Sequence, residues 1–296
     1  MENEYICVNQ HELTSQIKVL LRSENKSIDV STAHLLLGYN PLIIAISKQE
    51  LNSPDGTYTL QFYTNELLCG IIKLQILPMV HDSLCFFEGI KAKHSLLNPL
   101  QKLMHGLKQI RAAKSHPLYP DKNRYDQIRV PYSFPRNISV LTLRKGELYN
   151  IFPTDLYGEI FRGKEYIISL RENGKAYEQV KNADEITLSK VASHAFERIY
   201  LLGKNHMQDM KALAEFQNHL RESKPDSKRS ISKDCIQYRV LRNKHEIKLG
   251  IHCLITFSID EKIDLHLQND SLSHIHEYYA LWRKRHKYKD NLLIRS

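Results

Sequence analysis

Fifteen histidines and five cysteines are the side chains through which this 296-residue chain could ligate a metal or attack a substrate. The cysteines (Cys7, Cys69, Cys85, Cys235, Cys253) are scattered, odd in number and form no CxxC pair. That spacing argues against a disulfide framework and a thiolate zinc site, and for buried reduced thiols. His274-x-His276 is the tightest histidine pair. On a helix, positions i and i+2 diverge, so the two rings would not share one ion. No acidic or thiol partner stands at ligand spacing, and the expectation is no metal site. No GxSxG elbow marks a nucleophile, and neither GxGxxG nor GxxxxGK[ST] marks a phosphate loop. Arg171 and Lys175 flank Asn173-Gly174 and suit either a phosphate dianion or a solvated basic loop. On its residues alone, Asn150-Ile-Phe-Pro-Thr-Asp155 reads as a turn with an Asx cap.

The elements that would position these groups belong to a globular chain. Hydrophobic residues are 42% and charged residues 25%, enough to bury a core and too apolar for global disorder. The length fits one large domain or two ordinary ones. No uncharged apolar run approaches the roughly 20 residues of a membrane helix; the best stretch, Leu67 to Val80, is cut by Lys73 and Pro78. Met-Glu-Asn-Glu-Tyr at the start is acidic and lacks an apolar region, so the expectation is no secretory signal, no membrane and a cytoplasmic protein. The net charge of +9 attracts anions of many kinds without choosing among them. It is concentrated at Arg283–Lys289 and along Leu97–Lys114, where Lys102, His105, Lys108, Arg111 and Lys114 accompany apolar residues at 97, 100, 103, 104, 107 and 110. That spacing predicts a helix with one apolar and one basic face.

Elsewhere, Glu12–Leu21 is helix-compatible, and His34–Ser47 holds two apolar runs broken by Gly38, Asn40 and Pro41. Thr57–Tyr63 reads as a strand, so the first third reads as mixed α/β. Four prolines between Ser115 and Pro135 predict an extended connector and a boundary there: 1–124 an N-terminal α/β region, 125–296 a second domain. Beyond it, strands are expected at Asn137–Leu143, Leu148–Phe152, Glu165–Leu170, Glu185–Val191, Asp234–Leu241, Ile247–Ile259 and Lys262–Leu267. Gly146 provides a hairpin turn between the first two. Phe196–Leu202 suits helix or strand, His206–Arg221 has amphipathic helical spacing, and Ser273–His286 reads as helix. Mostly hairpin-linked strands with few helices predict a mainly β, small antiparallel barrel with flanking helices.

The order of short motifs in this second part resembles the flavin reductase-like, FMN-binding split-barrel family. The residues are Tyr132–Arg136, Ile138–Thr142, Gly146–Gly158, Tyr166–Arg171, Lys175-Ala176 and Leu202–Met207, followed by Cys235–Val240 and Gly250–Leu254. Each motif is weak alone; their order carries the likeness, over about half the chain. The resemblance implies a first core strand ending in Thr142 and a segment lining the flavin ring through Asn150, Ile151, Phe152, Pro153, Thr154 and Asp155. It implies phosphate contacts from Ser169, Arg171 and Lys175, and a further polar contact from His206. It also implies FMN as cofactor, NAD(P)H as co-substrate, hydride transfer to the flavin and a homodimer with flavin near the subunit interface. Many members carry Thr where this chain has Lys175-Ala176, and the first ~125 residues have no counterpart in a minimal split-barrel reductase. The competing readings are a basic module that binds nucleic acid, not favoured because no recognised motif accompanies the charge, and a barrel that serves as a scaffold without flavin.

Overall fold

The computed structural model describes residues 4–7, 13, 15–24, 26–51, 56–79, 81–113, 122–160, 163–223, 229–265, 271–288 and 292–295. The chain forms two compact units. The first comprises Met1–Tyr5, His11–Pro135 and Ile275–Ser296; the second comprises Ile6–Gln10 and Arg136–His274. The main division therefore lies at 135/136 rather than 124/125, and the basic C-terminal run belongs with the first unit.

The first unit is built on seven antiparallel strands: β1 (Ile17–Arg22), β2 (Ser27–Asp29), β3 (His34–Tyr39), β4 (Leu42–Ser47), β5 (Thr57–Thr64), β6 (Leu67–Ile76) and β7 (Leu84–His94). Their order is β2-β1-β5-β6-β7-β4-β3. Strand β5 shows why: Tyr58, Leu60, Phe62 and Thr64 are buried while their neighbours are not, the period-2 pattern of a sheet with one covered face. Of the helix expected over Glu12–Leu21, Leu13 and Ser15 are helical, but from Ile17 the chain is strand β1, where Val19 and Leu21 are buried on one face. Among the described residues no α-helix interrupts the run of seven strands, so strand and helix do not alternate. Helix α1 (Pro99–Ala113) starts with a reciprocal cap, Gln101 N–H donating to Asn98 Oδ1 at 2.8 Å and Asn98 N–H to Gln101 Oε1 at 3.0 Å. The proline-rich stretch is not an extended connector throughout: Lys122–Ser133 is helix α2, with Pro131 inside it, while 114–121 lie outside the described residues. Tertiary packing overrides the local bias. Val130 is fully buried over Gly70, where an added Cβ would come within 2.5 Å of its Cγ1, and Phe134 stacks on Phe62 at 4.7 Å.

The second unit is an eight-stranded antiparallel sheet curled into a half-barrel with flanking helices. Its elements are β8 (Ser139–Lys145), β9 (Leu148–Thr154), β10 (Tyr157–Ile160), β11 (Glu165–Arg171), α3 (Lys175–Asn182), β12 (Glu185–Val191), α4 (Phe196–Leu201), β13 (Lys211–Ala212), β14 (Leu220–Glu222), β15 (Ser230–Ser232), β16 (Cys235–Leu249) and β17 (His252–Asp264). The sheet order is β10-β11-β17-β16-β12-β8-β9-β13, and β14 pairs with β15 apart from it. Gly146, at φ +56, turns β8 into β9 as expected. The strands expected at 234–241 and 247–259 are parts of one long hairpin, β16 and β17, which reverses at Gly250 (φ +61). Leu141, Leu143, Phe152, Tyr166, Ile168, Ile186, Leu188, Ile255 and Phe257 fill the concave face, and α3 closes it with Ala176, Tyr177 and Val180.

No amphipathic helix spans 206–221. The backbone there takes a 3-10 turn at Leu202–Met207, pairs Ala212 with Leu148, and turns again at Leu213–Phe216. Bonds to the sheet replace the intrahelical ones, and Leu213 and Met207 remain exposed. The helix expected over Ser273–His286 begins only at Glu277; Ser273–His276 is a strand, and Ser273 and His274 pair with Asn137 and Arg136.

Candidate functional site

The residues singled out in sequence separate into a buried group and an accessible one. Asn150 is fully buried at the heart of a clasp. Its Nδ2 donates to Gln179 Oε1 at 2.6 Å and to the Asn205 carbonyl at 3.0 Å, and its Oδ1 accepts from Ile151 N–H at 2.8 Å. Asn205 Nδ2 answers by donating to the Ile151 carbonyl at 2.9 Å, and Gln179 Nε2 donates to the Gln208 carbonyl at 2.7 Å. This network ties β9, α3 and the 202–207 turn together. Ile151 and Phe152 are equally buried, Phe152 within the concave core. Thr142 is buried opposite Ile151 and Thr187, and its Oγ1 has no hydrogen-bond partner among the described residues.

The accessible group lies where β9 ends and β11 ends. Pro153, Thr154 and Asp155 are half-buried as the chain leaves β9. Register brings this segment beside β11: β10 pairs with it from Tyr157↔Ile168, and Ser169 N–H donates to the Leu156 carbonyl at 2.8 Å. Ser169 is buried, with Oγ 3.0 Å from His252 Nδ1 on the neighbouring strand. Arg171, two residues on, is exposed and directly opposite His252. Burial, with the Arg171 charge beside it, pushes the His252 imidazole down to about 4, so the ring is neutral at pH 7. A tight turn, Gly174 N–H to Arg171 carbonyl at 3.0 Å, then delivers Lys175 at the start of α3. Lys175 pairs with Asp209 at 2.7 Å, both exposed, a bond of small net worth that a ligand anion can displace. His206 is exposed on the 202–207 turn and donates through Nδ1 to the Gly203 carbonyl.

Sequence reasoning missed one charged constellation. Arg136 Nη2 stands 3.0 Å from Asp155 Oδ2, and His274 Nδ1 3.5 Å from the same oxygen. Burial alone would raise the Asp155 carboxyl, but the guanidinium and imidazole hold it well below the usual carboxylate range. The trio pins the segment that follows β9. Its members are far apart in sequence, and only the pairing of 136–137 with 273–274 unites them. Among the described residues no group of three or more His, Cys, Asp or Glu could hold a metal ion. A cavity of about 300 Å³ in the first unit is lined by His94, Lys102, His105, Asp126 and Tyr278; it contains Lys102 and His105 of the basic helix face read from sequence and none of the residues that the flavin resemblance implies.

No family model matches the chain, and no curated protein sequence matches it. Solved structures do resemble about half of it. The NADH:FAD oxidoreductase SgcE6 of Streptomyces globisporus C-1027 superposes over 53% of this chain and 90% of its own, with a TM-score of 0.45 and 10% identity. An FMN-binding protein of Thermus thermophilus covers 49% of this chain and 84% of its own, with a TM-score of 0.42 and 12% identity. The styrene monooxygenase flavin reductase of Pseudomonas putida S12 covers 49% and 89%, with a TM-score of 0.40 and 12% identity.

A flavin has a flat apolar body, a polar edge and, in FMN, a phosphate. The accessible group offers a match to the last two. Backbone from Pro153 to Leu156 can face a polar edge, and the Arg171–Lys175 turn can face a phosphate dianion. Asn150, Ile151 and Phe152 are committed to packing and hold that backbone from behind.

Proposed function

We propose that the second unit is an FMN-binding, flavin reductase-like module of a cytoplasmic homodimeric oxidoreductase using NAD(P)H. The observation that carries this reading is the 2.8 Å bond from Ser169 N–H to the Leu156 carbonyl. It sets the end of β9 beside the end of β11, so a ring-facing backbone segment and two phosphate-facing cations share one edge of the half-barrel. When bound, a flavin supplies an acceptor for hydride. The protein's work is then positional, which accounts for the absence of any nucleophile motif in the sequence. Arg171 and Lys175 neutralise the phosphate, Pro153 stiffens the ring-facing segment, and the Arg136–Asp155–His274 trio fixes its direction.

The test is titration of the full chain with FMN and with riboflavin, followed by flavin fluorescence. FMN binds in the micromolar range. Arg171→Ala with Lys175→Ala weakens FMN by about tenfold or more, since each removes one exposed charge-assisted contact. Riboflavin, which lacks the phosphate, changes little. No fluorescence change at high micromolar protein overturns the flavin reading. Equal losses for both ligands remove Arg171 and Lys175 from the phosphate site.

A further inference from the structure

The two units share one strand pattern. Taken in chain order, β1 to β7 of the first correspond to β8, β9, β10, β11, β12, β16 and β17 of the second. With that correspondence the order β2-β1-β5-β6-β7-β4-β3, read from its other end, is the order β10-β11-β17-β16-β12-β8-β9. Every neighbouring pair in both is antiparallel. Hairpins between consecutive strands are common to most antiparallel sheets, but the first strand beside the fifth and the fourth beside the seventh are not local choices. The register agrees as well. The pairs of β4 with β7 from Ile43↔Glu88 to Ser47↔Leu84 match those of β11 with β17 from Ile167↔Thr256 to Arg171↔His252. The next amide continues both ladders alike, Lys48 N–H donating to the Ser83 carbonyl at 2.9 Å and Glu172 N–H to the Ile251 carbonyl at 3.0 Å. Position by position, Ile43, Ile44 and Cys85 recur as Ile167, Ile168 and Cys253.

The same correspondence shows what the first unit lacks. Ser169, Arg171 and Lys175, proposed above to face a phosphate, have Ala45, Ser47 and Leu51 as counterparts, the last counted from Ser47 as Lys175 is from Arg171. Ala45 and Leu51 are buried. Residues 169–175 carry two cations and one acid, whereas 45–51 carry only Lys48 and Glu50, which cancel. A phosphate dianion calls for an excess of cationic donors, and that excess is confined to the second unit. The edge of the fourth strand differs too. In the second unit β10 pairs with β11 as far as Tyr157↔Ile168, and the ring-facing segment takes the next place through the bond from Ser169 N–H to the Leu156 carbonyl. In the first unit β3 pairs with β4 two residues further, through Leu35↔Ala45 to His34↔Ile46, and Ser47 N–H then donates to the Ala33 carbonyl at 3.1 Å. Strand backbone therefore covers the stretch that the second unit gives to the segment leaving β9.

We propose that the chain is an internal repeat of one seven-strand unit in which only the second copy takes FMN, so that each chain binds a single flavin. The assignment of FMN rests on the flavin reading above, and the test separates the two. The full chain is titrated with FMN by isothermal titration calorimetry. One isotherm is expected, at one FMN per chain. Arg171→Ala with Lys175→Ala should shift that whole isotherm to weaker binding by about tenfold or more. Lys48→Ala, which removes the only cation of the counterpart segment, should leave affinity, stoichiometry and the circular dichroism spectrum unchanged. Two FMN per chain overturns the proposal while upholding the flavin reading. So does a single FMN whose affinity the double variant leaves intact, or one that Lys48→Ala releases. Absence of any binding overturns the flavin reading itself, and the assignment of FMN to the second copy with it.

Discussion

Replacing Asn150 by alanine tests whether that side chain is a clasp or a cofactor contact. The substitution removes three hydrogen bonds, to Gln179, to the Asn205 carbonyl and from Ile151 N–H, inside a fully buried site. A typical buried hydrogen bond contributes about 1 kcal/mol net, and each carbonyl or amide left unpaired adds to the loss. Asn150→Ala is therefore expected to cost about 3 kcal/mol, a large share of a stability of roughly 5–15 kcal/mol. Asn150→Asp should cost more, because at neutral pH a carboxylate would face the Asn205 carbonyl and Gln179 Oε1 with no proton to donate. The assay is urea unfolding followed by circular dichroism, in which the midpoint falls while the slope is unchanged. A double-mutant cycle with Gln179→Ala isolates one contact and should give a coupling of about 1 kcal/mol. A loss below about 1 kcal/mol would refute the clasp. So would a variant of native stability that has lost flavin, since the side chain would then act on the ligand and not on the fold.

Two further outcomes follow from the titratable groups. His252 has a folded value of about 4 against 6.5 in the unfolded chain, so the stability it allows is complete above pH 6.5 and lost as pH falls toward 4. The difference corresponds to about 3 kcal/mol, and His252→Gln should flatten that part of the pH–stability profile while leaving pH 8 little changed; an unaltered slope removes His252 as its source. Asp155 is depressed, so its contribution is present above about pH 4 and disappears as the pH falls through its folded value. Asp155→Asn should therefore destabilise the protein at pH 7, with the gap to wild type narrowing between about pH 4 and 2, measured by thermal melts; a gap independent of pH would show that the carboxylate charge is not what matters.

The sequence alone determined four strands of the half-barrel, β8, β9, β11 and β12, and the hairpin at Gly146, but it ran one strand through the reversal at Gly250. Period-2 burial and β-branched residues are local signals, and a positive φ is a demand that glycine meets locally. It also determined the polarity of the Pro153–Lys175 region and the helix at 99–113, whose Asn98-Pro-Leu-Gln101 cap is written in consecutive residues. Tertiary structure decided the rest. Residues 206–221 have helical spacing, but the Asn150–Asn205 clasp and the pairing of Ala212 with Leu148 claim the backbone first. Pro131 signals an extended chain, yet burial of Val130 over Gly70 outweighs it. Which face of a helix points inward is a property of what it packs against, and in α1 a histidine goes in and the leucines stay out. The same holds for the site. Asn150 and Phe152 lie within five residues of Thr154 and Asp155, but the first two sit in the covered middle of β9 and the others at its end and just beyond. Arg136, Asp155 and His274 carry no common sequence signal, because the contact that joins them exists only once strands from the two ends of the unit have paired.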